Sequence, residues 1–440
     1  MAFSRRDFLK RTCCTAAAGF AAASFNRFGL VNALAQSAPD YKALVCVFLF
    51  GGNDSNNMVG PLSSSGYSSH QQIRSVLALP QGSLLPIAPP SAGSFGFHPK
   101  FPEMQALFNQ KHLAVLTNVG TLVRPTTRAQ FQQRQVNLPQ NLFSHEDQQA
   151  QMQTAALDGN GQTGWAGRTA DKIQSIYGGT FPVIISLAGT NIFCEGLSAR
   201  AIQSSDDPTK LLSGLSSSAE SQGRMSTLQS LLTFDTGVSL IRQDSNALAT
   251  ALAAAPALAT VFPANNGLAN QLKPVAQIIS ARSALALQRQ IFFVSIGGFD
   301  THSDQLNAHN NLYTQLSQAM NAFYQATVEI GAASQVTSFT LSDFSRTYAP
   351  DSTSGTEQAW GGHHLIMRGA VQGGDFYGTF PTLARAGPDD ATSEGRWIPT
   401  TSLDQYAGTL ANWFGVATAD LPTILPNLPN FSTPVLNFVG

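Results

Sequence analysis

Six short apolar runs, at 43–50, 113–118, 182–188, 291–296, 336–341 and 364–370, are continuous rather than alternating and are bounded by glycine, proline or asparagine. A strand with one wet face alternates apolar and polar residues, whereas a strand covered on both faces reads as an unbroken apolar run. Residues 102–110, 145–157, 166–176 and 305–331 carry helical spacing, and the last of these joins two strand candidates as a β-α-β unit. The expected fold class is therefore α/β, with a mostly parallel central sheet flanked by helices. From about 200 to 288 the chain changes character: it is rich in Ser, Ala and Leu, is broken by Pro256, Pro263 and Pro274, and has helical periodicity without a convincing strand. That stretch reads as a helical insertion or cap on one α/β domain spanning 36–440, not as an independent domain.

In parallel sheets, ligands bind outside the carboxyl ends of the strands. The run 291–296 ends in Gly-Gly-Phe and then Asp300-Thr301-His302, and the run 336–341 delivers Asp343. Residues two apart on an extended segment point the same way, so Asp300 and His302 can face one ion as a mixed carboxylate and imidazole set. The plain alternatives are a helix cap at Asp300 with a structural His302, and an Asp343–Arg346 ion pair or cap. His363 and His364 immediately precede the apolar Leu365-Ile366-Met367. If they begin a strand they point to opposite faces, so one of them is structural. After the first run, Gly51-Gly52 permits a tight turn that places Asp54 at a strand end, as a cation ligand or as an Asx turn or cap.

A nucleophile is less distinct. Ser144-His145 lies where a loop becomes a helix, so Ser144 is placed at a helix N-terminus that favours an anion. A serine there is also an ordinary N-cap, with Asp147 at the third helical position completing something close to a capping box.

The beginning of the chain reads Ser-Arg5-Arg6-Asp-Phe-Leu-Lys, followed by an Ala-rich stretch from Thr15 to Phe25 and by Ala33-Leu34-Ala35. This is the pattern of a twin-arginine signal peptide over residues 1–35, with cleavage after Ala35. It implies the twin-arginine export machinery as a partner and a periplasmic or secreted destination. Cys13 and Cys14 leave with the signal, so Cys46 and Cys194 are the cysteines of the mature chain, with Cys46 in an apolar run as a core thiol. An oxidising compartment permits a disulfide if the two meet. No stretch after residue 36 approaches the roughly 20 apolar residues of a membrane span. With a formal charge of −1 and 12% charged residues, the chain has no basic face for nucleic acid.

Nine segments occur in the order seen in the family catalogued as domain of unknown function 1501, and the chain resembles that family over essentially its whole length. They are the export signal, GGNDSNNM, FGFHPKFPEM, LAVLTNVGTL, LFSHEDQQ, GWAGR, GGFDTHSDQL, TLSDFSRT and WGGHHLIMRGAVQGGDFYG. The family in turn looks like a branch of the alkaline phosphatase and sulfatase superfamily, whose members hold one or two divalent metals at the carboxyl end of a parallel sheet and transfer phosphoryl or sulfuryl groups. The resemblance implies an alkaline-phosphatase-like fold and a metal-dependent hydrolase of phosphate or sulfate esters, small or polymeric. By position, Asp54 matches the first-strand Asp ligand and Ser144 falls where the nucleophile would be. Asp300 with His302, Asp343, and one of His363 or His364 fall where later ligands would be, while His145 would assist the leaving group or complete the set. This sequence has Glu357 and Gln358 where members typically show Asp-His, and Glu357 can still bind a metal. The implied cofactor is a divalent ion, with zinc, calcium and manganese not distinguished, and one ion rather than two. The rival reading is a non-catalytic exported scaffold or binding protein that keeps the fold with a degenerate metal site.

Overall fold

The residues from Ala43 to Leu49 are all at most 1% exposed, because both sides of their strand are covered. Ala43, Val45, Val47 and Leu49 enter one apolar core, and Leu44, Cys46 and Phe48 enter another on the opposite face. The structure, a computed structural model, describes residues 40–177, 183–203 and 257–440. The expected signal peptide and residues 204–256 of the expected insertion lie outside the described residues.

The strands are β1 (Lys42–Phe50), β2 (Val59–Pro61), β3 (Leu85–Ile87), β4 (Phe95–Phe97), β5 (Leu113–Gly120), β6 (Ile184–Ser186), β7 (Ile202–Gln203), β8 (Arg289–Gly297), β9 (Val336–Ser342), β10 (Gly362–Met367), β11 (Phe376–Tyr377) and β12 (Thr401–Ser402). The principal helices are α1 (Ser55–Met58), α2 (Ser64–Arg74), α3 (Pro102–Asn109), α4 (His145–Thr154), α5 (Trp165–Tyr177), α6 (Gly267–Ser280), α7 (Gln305–Glu329) and α8 (Leu403–Phe414). A nine-stranded sheet runs β11-β5-β10-β9-β1-β8-β6-β7, with β12 also paired to β5. β1 pairs in parallel with both β8 and β9, so the β8-α7-β9 unit steps across the central strand. Residues of α3, α6 and α7 cover one face, and residues of α5 and α8 cover the other.

All six expected strand regions contain strands, and the sheet is mostly parallel. β10 is the exception, antiparallel to both β5 and β9. Its amino end therefore lies at the same edge as the carboxyl ends of β1, β8 and β9. It also begins at Gly362, so His363 and His364 sit inside the strand and not ahead of it. In the region from about 200 to 288, the described part holds the short strand β7 and the helix α6, whose Leu268, Leu272, Val275 and Ile279 enter the main core. A second sheet, β2-β4-β3, is antiparallel, and α2 packs beside it. This appendage carries Arg74, at the end of α2, back to the edge of the main sheet.

Candidate metal and acid–base centre

The turn after β1 makes the site possible. Gly51 has φ +110°, and a Cβ there would stand 2.3 Å from the backbone nitrogen of Asp300. Only glycine lets the ends of β1 and β8 approach so closely. The Gly51 N–H donates to Asp343 Oδ2 at 2.5 Å, tying the end of β9 to the same turn.

Around this turn, carboxylates and imidazoles alternate. His145 Nε2 lies 3.2 Å from Asp343 Oδ2, and His145 Nδ1 lies 3.5 Å from Asp300 Oδ2. His302 Nε2 lies 3.1 Å from Asp300 Oδ1, and His302 Nδ1 lies 3.3 Å from Glu357 Oε1. A neutral imidazole has one N–H and one lone pair. Each ring is set between two carboxylates, so in its neutral form one lone pair must face an anion. A proton or a metal cation resolves that repulsion.

The electrostatics differ across the row. The hydrogen bond to Asp343 raises the His145 pKa against the opposing effect of partial burial. Burial raises Asp343, and the contacts from His145 and Gly51 only partly offset it. Burial acts in the same direction on Asp300, but the Arg346 guanidinium, 2.6 Å from Oδ1, and the neighbouring imidazoles outweigh it and hold the carboxyl below its ordinary range. Asp343 is buried, whereas the side chains of His145 and His302 are 33% and 44% exposed, so the row is open to solvent at one end.

Sequence reasoning did not single out Asp351. It faces His302 and Glu357, and one ligand atom from each of the three lies within 4.8 Å of the others. Its carboxylate is fixed by the Gly355 N–H and by the backbone and hydroxyl of Thr353. The acidic residue within the loop before Trp360 was the available signal. Two arginines were missed in their actual pairings. Arg346, weighed above only as the plain alternative partner of Asp343, pairs with Asp300 and also donates to Thr356 Oγ1 at 3.0 Å. Arg74 pairs with Asp54.

Three expected site residues stand apart from this centre. Asp54 is fully buried at the N-cap of α1, where its carboxylate accepts from the Asn56 N–H at 3.2 Å, from Gln305 Nε2 at 2.6 Å and from Arg74. His363 and His364 point to opposite faces of the sheet, as neighbours in a strand must. His363 stacks on Phe380 with ring centres 4.6 Å apart and accepts from the Asn118 N–H at 3.0 Å. His364 stacks on Tyr406 at 5.8 Å. Burial lowers both rings to about 3, so they are neutral at physiological pH. Among the described residues, neither ring makes an ion pair with a carboxylate, and His363 Nε2 and His364 Nδ1 are buried without a hydrogen-bond partner.

Of the Ser144-His145 pair, the structure brings only the histidine into the centre. Ser144 is the N-cap residue of α4, and its hydroxyl donates to Asp147 Oδ2 at 2.5 Å. That contact lowers the Asp147 pKa, and it turns the serine proton toward Asp147 instead of the neighbouring imidazole. Cys46 and Cys194 are both buried free thiols, raised by burial.

The donor set suits a divalent cation. Imidazole nitrogen with carboxylate oxygen is a ligand combination used for zinc and manganese, and its carboxylates also suit calcium. The residues that fit are Asp300, His302, Asp343, Asp351 and Glu357, with His145 beside them. Asp54 is already paired with Arg74 and Gln305 and lies outside that set. Among the described residues, no helix is long and apolar enough to cross a membrane.

No curated protein matches the chain. The family described as Protein of unknown function (DUF1501) matches residues 41–395. Similar solved structures include the lipoteichoic acid synthase LtaP from Listeria monocytogenes, at 8% identity and TM-score 0.38, covering 89% of this chain and 79% of that one. Another is the C-terminal periplasmic domain of EcEptC from Escherichia coli in complex with Zn, at 12% identity and TM-score 0.36, covering 86% and 83%. At such scores these likenesses say nothing about the chemistry of the site.

Proposed function

The chain belongs to the DUF1501 family, and from that premise we propose that it is an exported, metal-dependent hydrolase of phosphate or sulfate esters. The observation that carries the proposal is the placement of His145 and His302, each with both ring nitrogens against carboxylates at an open sheet edge. A row of that kind needs a positive charge among its members, and a divalent ion supplies it more strongly than a proton. The twin-arginine pattern at Arg5-Arg6 supports export.

The residues that would hold an ion are His302, Asp351 and Glu357, whose ligand atoms lie within 4.8 Å of one another, with Asp300 and Asp343 adding negative charge beside them. When bound there, a divalent ion would supply charge to neutralise the non-bridging oxygens of a phosphate or sulfate ester. Arg346 keeps Asp300 ionised and aimed. His145 bears a proton at each nitrogen when charged. Its Nε2 proton is held by Asp343, and its Nδ1 proton faces Asp300 at the longer distance of 3.5 Å and is the one released to the leaving oxygen. The Ser144 hydroxyl is turned to Asp147 and away from this row, so the attacking group would be water, giving its proton to a carboxylate of the row.

Purified without chelator, the protein is expected to carry about one equivalent of zinc, calcium or manganese by elemental analysis. Asp300→Ala and His302→Ala should fold, lose the ion and lose turnover of phosphate or sulfate monoesters and diesters. A folded, metal-free protein inactive on all of these esters refutes the hydrolase. The rival, a non-catalytic exported scaffold, is favoured by the missing activated hydroxyl at Ser144, and it predicts that the two alanine variants behave as wild type.

A further inference from the structure

Arg74 has no exposed surface. One of its terminal nitrogens is ion-paired with Asp54 Oδ2, and the other donates to the carbonyl oxygens of Thr347 and Tyr348 at 3.2 and 3.1 Å. Three oxygens from two distant parts of the chain therefore converge on one guanidinium. Carboxylate and carbonyl oxygens are the donors that hard divalent cations take. The histidines nearby add no charge, since burial lowers His70 and His98 to about 3 and His309 to about 4. A guanidinium stays protonated throughout the physiological range.

We propose that Arg74 is a built-in, non-exchangeable cation that occupies a potential divalent-ion position at Asp54 and closes it to metal. The sheet edge then has two kinds of charge compensation. At Asp54 the countercharge is covalently part of the chain, and around His302 it is left to an ion from solution. The second half of that contrast rests on the proposed function, while the first stands on the contacts of Arg74 alone. Asp54 is consequently not a ligand of the working ion. Removing the guanidinium leaves Asp54, Thr347 and Tyr348 as an oxygen-lined vacancy suited to calcium or manganese.

The test is elemental analysis together with thermal melting, in chelator and with added manganese or calcium, on wild type and four variants. Asp54→Asn should keep the wild-type ion count yet melt lower, whereas Asp300→Asn should lose the ion. Arg74→Ala should melt lower in chelator, recover on addition of manganese or calcium, and bind one equivalent more than wild type. The double variant Asp54→Asn/Arg74→Met should melt above either single variant and gain nothing from added ion. Loss of the native ion in Asp54→Asn overturns the proposal, as does an Arg74→Ala protein whose melting ignores added ions. If Arg74→Ala does not fold, the double variant decides, and melting no higher than Asp54→Asn alone overturns the role. A wild type without metal defeats the hydrolase reading separately, and ion uptake by Arg74→Ala still reports on Arg74.

Discussion

Two neighbouring residues, Ser144 and His145, are sent to different partners, and the proposed function gives them different roles. The serine hydroxyl donates to Asp147 at the half-buried start of α4, while the imidazole crosses to Asp343 and Asp300. Ser144→Ala should therefore leave ester hydrolysis within about twofold and cost about 1 kcal/mol of stability, the net worth of its one hydrogen bond to Asp147. His145→Gln should lower kcat by about 10² to 10⁴, the range of one general acid. Steady-state kinetics on the two variants, alongside urea denaturation, separates them, and a Ser144→Ala enzyme as dead as His145→Gln would return the serine to the role of nucleophile. Asp300 and Asp54 show the same division. Each pairs with a buried arginine, but Asp300 keeps 36% of its side chain exposed and shares an oxygen with His302, whereas Asp54 is sealed.

At the scale of single elements, α8 combines a good start with an awkward residue. Ser402 caps it in a reciprocal arrangement with Gln405, its hydroxyl accepting from the Asp404 N–H at 3.1 Å. Ser402→Ala should cost about 1 kcal/mol in urea unfolding, and no change would show that packing of the apolar face alone fixes this helix. The next residue but one is Asp404, buried, with Oδ2 unpartnered and Oδ1 accepting from the Asn427 N–H at 3.0 Å. Burial raises its carboxyl from 3.8 to about 7, against the hydrogen bonds from Asn427 and the charge of Arg168. The native state thus keeps a proton that the unfolded chain has lost between about pH 4 and 7, so this group costs stability progressively as pH rises through that window. At about 1.4 kcal/mol per pH unit, the cost above pH 7 is on the order of 4 kcal/mol at most. Asp404→Asn should be close to wild type near pH 4 and more stable at pH 8. Parallel stability–pH curves for the two proteins would exclude Asp404 as the source.

For the molecule as a whole, the sheet edge concentrates charge that the rest of the chain balances. Lys and Arg number 25 against 26 Asp and Glu over the full sequence, yet Asp300, Asp343, Asp351 and Glu357 gather around one turn with Arg346 as their buried cation. An ion that binds only the folded protein adds about 2.7 kcal/mol of stability at a hundredfold excess over its Kd. Chelator should therefore lower Tm, and one of zinc, calcium or manganese should restore it with a dependence on ion concentration that Asp300→Ala abolishes. Equal melting of wild type and Asp300→Ala at every ion concentration would count against a metal at this edge.

The sequence by itself determined the layers. A strand buried on both faces has to be apolar throughout, so β1, β5, β8 and β9 were visible as unbroken runs, and α3, α5 and α7 as the periodic stretches beside them. It also determined that Asp300, His302 and Asp343 arrive at strand ends, because that depends only on where a run stops. Tertiary structure decided everything that depends on strand direction and on partners far along the chain. The antiparallel setting of β10 places its amino end at the site edge, yet the pleat sends His363 and His364 into separate cores. The side sheet and α2 bring Arg74 onto Asp54, and the ends of β8 and β9 put Arg346 on Asp300 rather than Asp343. Local periodicity records which face of an element is apolar. Which charge meets which, from 20 residues apart for Arg74 and Asp54 to 198 for His145 and Asp343, is set by strand order and register, and those exist only once the sheet has formed.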